Sequence, residues 1–144
     1  MPLIQVTAPK GLLNKEQQNE LMSRLSKAII KSEGADFEFP AASALVWAQY
    51  HEVAEGSYYV AGEPTERAPL AIQMIAPEGA IAGELKEKFI KEIGGIVDDI
   101  VGPYDGRLNY WAIFHDIREG SWTAAGQAFP LAGIQEVMGI QTAA

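Results

Sequence analysis

Apolar residues along this chain fall into two kinds of run, and the two kinds alternate. Residues 3–8 and 70–76 are short stretches rich in Ile and Val, each closed by an Ala-Pro-x-Gly turn signal, which predicts a strand entering a turn. Behind the first, Leu21, Leu25, Ala28 and Ile29 recur at helical spacing. Asn14 is the expected N-cap there, with Gln17 three residues on and Gly34 as the stop. Behind the second, Leu85, Phe89, Ile93, Ile96, Val97 and Ile100 make the equivalent stripe, ended by Gly102 and Pro103. Gly94 and Gly95 interrupt that stripe. Each costs about 1 kcal/mol relative to Ala in a helix interior, so a kink or a close contact is expected. A further strand follows each helix, near 44–52 and 107–116.

The alternation is a repeat. Pro2-Leu3-Ile4-Gln5-Val6 through Gly11 returns, with one insertion, as Pro69-Leu70-Ala71-Ile72-Gln73-Met74 through Gly79. Trp47-Ala48-Gln49-Tyr50-His51-Glu52 returns as Trp111-Ala112-Ile113-Phe114-His115-Asp116, 64 positions on. Glu55-Gly56-Ser57-Tyr58 and Ala61-Gly62 return at the same offset as Glu119-Gly120-Ser121-Trp122 and Ala125-Gly126. The reading is one α/β domain, 1–144, made of two β-α-β units at about 1–66 and 67–144. A crossover of this length makes the two strands of each unit parallel. Two units then form a four-stranded mixed sheet with both helices on one face. The opposite face stays largely uncovered, which points to burial against another subunit.

Composition narrows the chemistry. The 144 residues include 19 acidic side chains, 11 Lys or Arg, 2 His and no Cys, for a net charge of −8. No thiol nucleophile, disulfide or thiolate metal site is possible, and two histidines make an all-protein zinc site improbable. The acidic balance argues against nucleic acid or an anionic membrane as partner. The N-terminus lacks the basic start and apolar stretch of a signal peptide, so the expectation is a cytoplasmic protein. No Gly-x-Gly-x-x-Gly run opens either helix, so no phosphate loop is expected.

Met1-Pro2-Leu3-Ile4 at the head of a duplicated β-α-β unit resembles the tautomerase superfamily, whose unit is built on an amino-terminal proline exposed by loss of Met. The segment Glu52 to Glu63 is similar to the hairpin following the second strand of 4-oxalocrotonate tautomerases. Two units in one chain are similar to the malonate semialdehyde decarboxylase, cis-3-chloroacrylic acid dehalogenase and macrophage migration inhibitory factor branches. The resemblance implies a tautomerase-like homotrimer that needs no cofactor, with Pro2 as general base or acid. The chemistry fits the residue. An N-terminal proline is a secondary amine, whereas Pro69, acylated by Ala68, is an amide without a basic lone pair. An α-amino group titrates near ~8, and burial brings it closer to neutrality. Such a base can remove a proton α to a carbonyl and return it elsewhere.

The family's carboxylate-binding arginines are not matched: Leu12 and Trp47 stand at two of those positions, and Ala76 and Ala80 at the paired ones of the dehalogenase branch. That branch's histidine falls near Glu33, and its tyrosine and glutamate near Ile113 and Ala124, so those roles do not carry over. Aromatic residues stand in their place. Tyr58 aligns with an active-site aromatic of the tautomerase hairpin, and Trp122 is its duplicate. By strand alternation Trp111, Ile113 and His115 share a face; Trp111 and His115 are candidate pocket residues, though both histidines occupy matched repeat positions that also suit a structural role. Arg118 and Arg67 are the candidate cations for a substrate carboxylate, with Arg107 and Lys10 behind them. The expected activity is isomerase chemistry: keto–enol tautomerisation of a small 2-oxo acid or related carbonyl compound by Pro2. The alternatives are a hydratase, dehalogenase or decarboxylase using protonated Pro2, or a non-catalytic trimeric binding protein.

Overall fold

The computed structural model describes residues 1–141. In chain order the elements are β1 (Leu3–Pro9), α1 (Lys15–Ser32), α2 (Pro40–Ser43), β2 (Trp47–Val53), β3 (Tyr59–Val60), β4 (Glu63–Pro64), β5 (Leu70–Pro77), α3 (Gly83–Ile100), β6 (Tyr110–Ile117), β7 (Thr123–Ala124), β8 (Gln127–Ala128) and α4 (Leu131–Val137). The four long strands form one mixed sheet in the order β2-β1-β5-β6. Within each half the strands are parallel, and β1 meets β5 antiparallel, with Gln5 opposite Gln73. No helix among the described residues is long and apolar enough to cross a membrane.

Local chemistry explains the boundaries. Asn14 caps α1 through a reciprocal capping box, its side chain accepting from Gln17 N while the Gln17 side chain accepts from Asn14 N. The strand expected near residue 44 starts at Trp47, because Pro40 opens the single helical turn α2 and delays it. Ile4 and Val6 of β1 and Ile72 and Met74 of β5 share a buried cluster with Leu21, Leu25 and Ile29 of α1 and Phe89, Ile93 and Ile96 of α3. Leu85 is the exception to the expected stripe: it lies in the first turn of α3 and is 42% exposed. Across the helix pair, Arg24 reaches Asp99 at 3.0 Å and Lys31 reaches Glu92 at 3.0 Å, so α1 and α3 run antiparallel.

Both helices cover one face of the sheet. On the other lie three rows of side chains: Trp47, Leu3, Ile75 and His115; then Gln49, Gln5, Gln73 and Ile113; then His51, Thr7, Ala71 and Trp111. Trp47 and Trp111 are 70% and 62% exposed there.

The glycine pair in α3 marks a close approach rather than a kink. The helix continues unbroken through it, and a Cβ on Gly94 would sit 3.3 Å from the Tyr110 hydroxyl, whereas one on Gly95 would meet nothing. Gly95→Ala should therefore raise the unfolding free energy by about 1 kcal/mol in urea titration, and Gly94→Ala should gain less.

Candidate active site

Residue 2 is fixed by the sheet before any site exists around it. The Pro2 carbonyl accepts the Trp47 N–H at 3.1 Å, extending the β1–β2 pairing by one bond and holding a buried proline at the sheet's end. A cavity of about 300 Å³ opens beside it, lined by Pro2, Leu3, Leu45, Trp47, Trp122 and Ala124 together with Met1. One tryptophan comes from the start of β2 and the other from the hairpin that follows β6. That hairpin, β7–β8, turns through Ala125 and Gly126, both at positive φ, the two-residue turn whose twist matches paired strands. Phe129 N–H donates to the Trp122 carbonyl at 2.8 Å and closes its base. The Glu119 carboxylate accepts from Leu131 N at 3.1 Å, tying the hairpin to the start of α4.

Beside Met1 lies a carboxyl. Glu33 is the C-cap of α1, and its side chain is 1% exposed. Both carboxylate oxygens lie 3.4 Å from the Met1 ammonium, which also donates to the Met138 thioether at 3.3 Å. The Met1 thioether in turn receives the Trp122 indole N–H. Burial lowers the affinity of the terminal amine for its proton, against the opposing pull of Glu33. Burial likewise pushes the Glu33 carboxyl up, against the opposing pull of that amine. In both groups desolvation outweighs the attraction between them, so each is driven toward its neutral form.

The structure brings Trp122 to Pro2 and disperses the other expected site residues. The Tyr58 hydroxyl donates to the Pro69 carbonyl at 2.7 Å, and Tyr58 and Arg67 line a larger cavity, about 660 Å³, at the opposite end of β1 with Pro9 and Lys10. The reason is topological. β2 runs parallel to β1, so the hairpin after it emerges where β1 ends, and antiparallel β5 begins there with Pro69. Arg67 stacks on Tyr104 at 4.7 Å in that far cavity, and Arg107 lies over the same ring at 5.2 Å. Trp111 and His115 stand on the open sheet face. Trp111 lies in the row of Thr7, at the end away from Pro2, while His115 shares the row of Leu3 and meets Gln73 Oε1 through Nε2 at 3.0 Å. Arg118 is exposed in the turn leading to β7. None of the residues lining the Pro2 cavity is a Lys, Arg or His.

Two groups at this end of the sheet are not among the expected site residues. Trp47 took an arginine position in the sequence comparison and proves to be a wall of the cavity. Glu33 had one signal in the sequence, its place near the position of the dehalogenase branch's histidine.

No known sequence family matches the chain, and no curated protein does. Solved structures do. A fused 4-OT, a wild-type asymmetric trimer, superposes with a TM-score of 0.71 at 19% identity, over 88% of this chain and 94% of that one. Pt0534 inactivated by 2-oxo-3-pentynoate gives 0.69 at 21% identity, over 88% and 94%. N1, a member of the cis-3-chloroacrylic acid dehalogenase family, gives 0.68 at 17% identity, over 93% and 87%. The chain has the tautomerase fold.

The buried carboxyl carries a pH signature. Its folded-state pKa lies above the ordinary 4.5, so the stability it contributes is complete below that value and is lost as pH rises through the folded-state pKa. Urea unfolding from pH 4.5 to neutrality should show wild type losing stability relative to Glu33→Gln. Superimposable pH curves for the two proteins would exclude Glu33 as the source.

Proposed function

We propose that this protein is a cofactor-independent keto–enol tautomerase of a small carbonyl compound, a 2-oxo acid or a relative of one, with Pro2 as general base after removal of Met1. The observation that carries the reading is the position of Pro2: buried, at the mouth of an apolar cavity, at the end of a strand in a tautomerase fold. Loss of Met1 turns its amide nitrogen into a secondary amine. The surroundings that lower the proton affinity of the Met1 amine would act on the new terminus in the same direction. An amine tuned toward neutrality is half-deprotonated at working pH, the condition under which general-base transfer is most effective. The base removes a proton from the carbon next to the carbonyl, and the electron pair moves to the oxygen.

The lining argues for the less charged members of the substrate class. A carboxylate in this cavity would find tryptophan faces and aliphatic side chains instead of a cation. An aryl or alkyl group would fit between Trp47 and Trp122.

A second reading has one observation in its favour. A carboxylate beside the terminal amine favours the protonated amine, which is the form a hydratase or lyase would use. Titration of the 15N-labelled Pro2 amine separates the two: a pKa near neutrality supports the base, and one at or above that of a free amine supports the acid. The trimer is part of the proposal, carried by the uncovered sheet face and by neighbours described as trimers.

Intact-mass measurement should show a chain lacking Met1, and Pro2→Ala should lower kcat/KM for phenylenolpyruvate by about 100-fold or more. A chain that keeps Met1, or a variant with undiminished turnover, would falsify the Pro2 mechanism. Ile113, 43% exposed in the middle row of the open face, tests the assembly. Ile113→Arg should shift the mass in light scattering from trimer to monomer while leaving far-ultraviolet circular dichroism unchanged; a trimer unaffected by it would place the interface elsewhere.

A further inference from the structure

We infer that Glu33 is the second proton-transfer group of the Pro2 site, the partner that exchanges a proton with the substrate's oxygen while Pro2 exchanges one with its carbon. The inference rests on the Pro2 reading above.

The geometry comes first. Both Glu33 oxygens lie 3.4 Å from the Met1 nitrogen, and three backbone bonds join that nitrogen to the nitrogen of Pro2. With standard bond lengths the two nitrogens are at most about 3.7 Å apart, so the carboxyl lies within roughly 7 Å of the Pro2 nitrogen. A C–C=O fragment spans about 2.4 Å between its α-carbon and its oxygen, and with contacts of about 3 Å at each end a straight path reaches about 8 Å, so a substrate bound at an angle bridges the two groups. Met1 is what covers Glu33. Its ammonium is the carboxylate's hydrogen-bond partner among the described residues, and its thioether accepts from the Trp122 indole. Met1 both lines the cavity and contacts Glu33, so its excision removes the carboxyl's partner and the lining residue that stands next to it.

The repeat provides the control. Glu33 caps α1 ahead of Gly34 at φ 84°, and Val101 caps α3 ahead of Gly102 at φ 83°, so the two are structural counterparts. Val101 lines the far cavity, at the end of the sheet where β5 begins after Pro69, an amide. An apolar side chain therefore satisfies this helix end as a matter of packing. A carboxyl stands there only at the end of the sheet that can carry a free amine. Burying an acid is costly unless it is paired or neutral, and nothing in the packing requires it.

The proton balance closes. In the keto-to-enol direction, Pro2 takes the proton from the α-carbon, the C–H bond breaks, the C=C bond forms, and protonated Glu33 supplies the proton to the oxygen. The site is then Pro2 ammonium with Glu33 carboxylate, which is the starting state for the reverse direction. One proton is shared by the two groups throughout. Other charges near Glu33 do not disturb this: Lys31 on α1 is exposed and paired with Glu92 of α3, Asp36 and Glu38 of the following loop are exposed, and α4 offers the neutral Met138 thioether and exposed Glu136.

The test uses the full chain lacking Met1. Glu33→Gln keeps the shape and can still donate a hydrogen bond, but it cannot transfer a proton. On phenylenolpyruvate it should lower kcat about 100-fold, leave KM nearly unchanged, and remove one limb of the pH–rate profile; Glu33→Asp should restore part of the rate. Full kcat with both limbs in Glu33→Gln, alongside an inactive Pro2→Ala, overturns this inference and leaves the Pro2 base standing. Full activity in Pro2→Ala overturns both. A second measurement needs no turnover: 13C titration of the Glu33 carboxyl should show a raised pKa whose midpoint moves when Pro2 is replaced by Ala. An ordinary midpoint that does not move overturns the shared proton, also where Glu33→Gln fails to fold.

Discussion

The antiparallel pairing of β1 with β5 is the constraint from which the two ends of the molecule follow. With Gln5 opposite Gln73, each half enters the sheet at the end where the other half leaves it. Pro2 and Pro69 are therefore separated by the length of a strand. Each is covered by the hairpin of the other half, Pro2 by the one bearing Trp122 and Pro69 by the one bearing Tyr58. The helices obey the same rule. An 18-residue helix spans about 27 Å, which carries the chain back across the sheet and sets the C-terminal end of α1 beneath the start of β1. Glu33 owes its place to that return.

At the Pro2 end the governing balance is between desolvation and pairing. An amine and a carboxyl sit in contact, yet burial moves the proton affinity of each away from the charged form. A solvated ion pair would show the opposite shifts. The two groups are in contact, so the charge state of each bears on the other. No lysine, arginine or histidine among the cavity's lining residues opposes that balance.

Much of this architecture is legible in the residues. The strand runs, the Asn14 cap and the two helical stripes give the sheet and its helices, and the repeat gives the pairing of halves. The Gly94–Gly95 interruption correctly signalled a contact, although which of kink or contact depended on Tyr110, a residue on another element. The site was harder to read because the repeat pairs residues by position in their own half, whereas the cavities are built across halves. Tyr58 and Trp122 are equivalent by alignment and lie at opposite ends in space. Arg67 lies two residues before Pro69 and lines the far cavity. Glu33 was hidden for a different reason: an acid before a helix-ending glycine is ordinary on a surface, and only the three-dimensional return of α1 shows that this one is buried.

The two cavities then read as one frame carrying two chemistries. At the far end Lys10, Arg67 and Tyr104 line a larger, partly cationic pocket, near a proline that is acylated. At the near end the frame narrows, the cations are missing, and an acid replaces Val101. A chain duplicated in this way has only one amino terminus, so only one of its two equivalent ends can use a proline amine. The departures from symmetry gather around that single difference. Trp122 for Tyr58 makes the wall bulkier, and Glu33 for Val101 supplies a group whose only evident match is an amine. An acid retained for packing alone would have no reason to appear at one end and not the other.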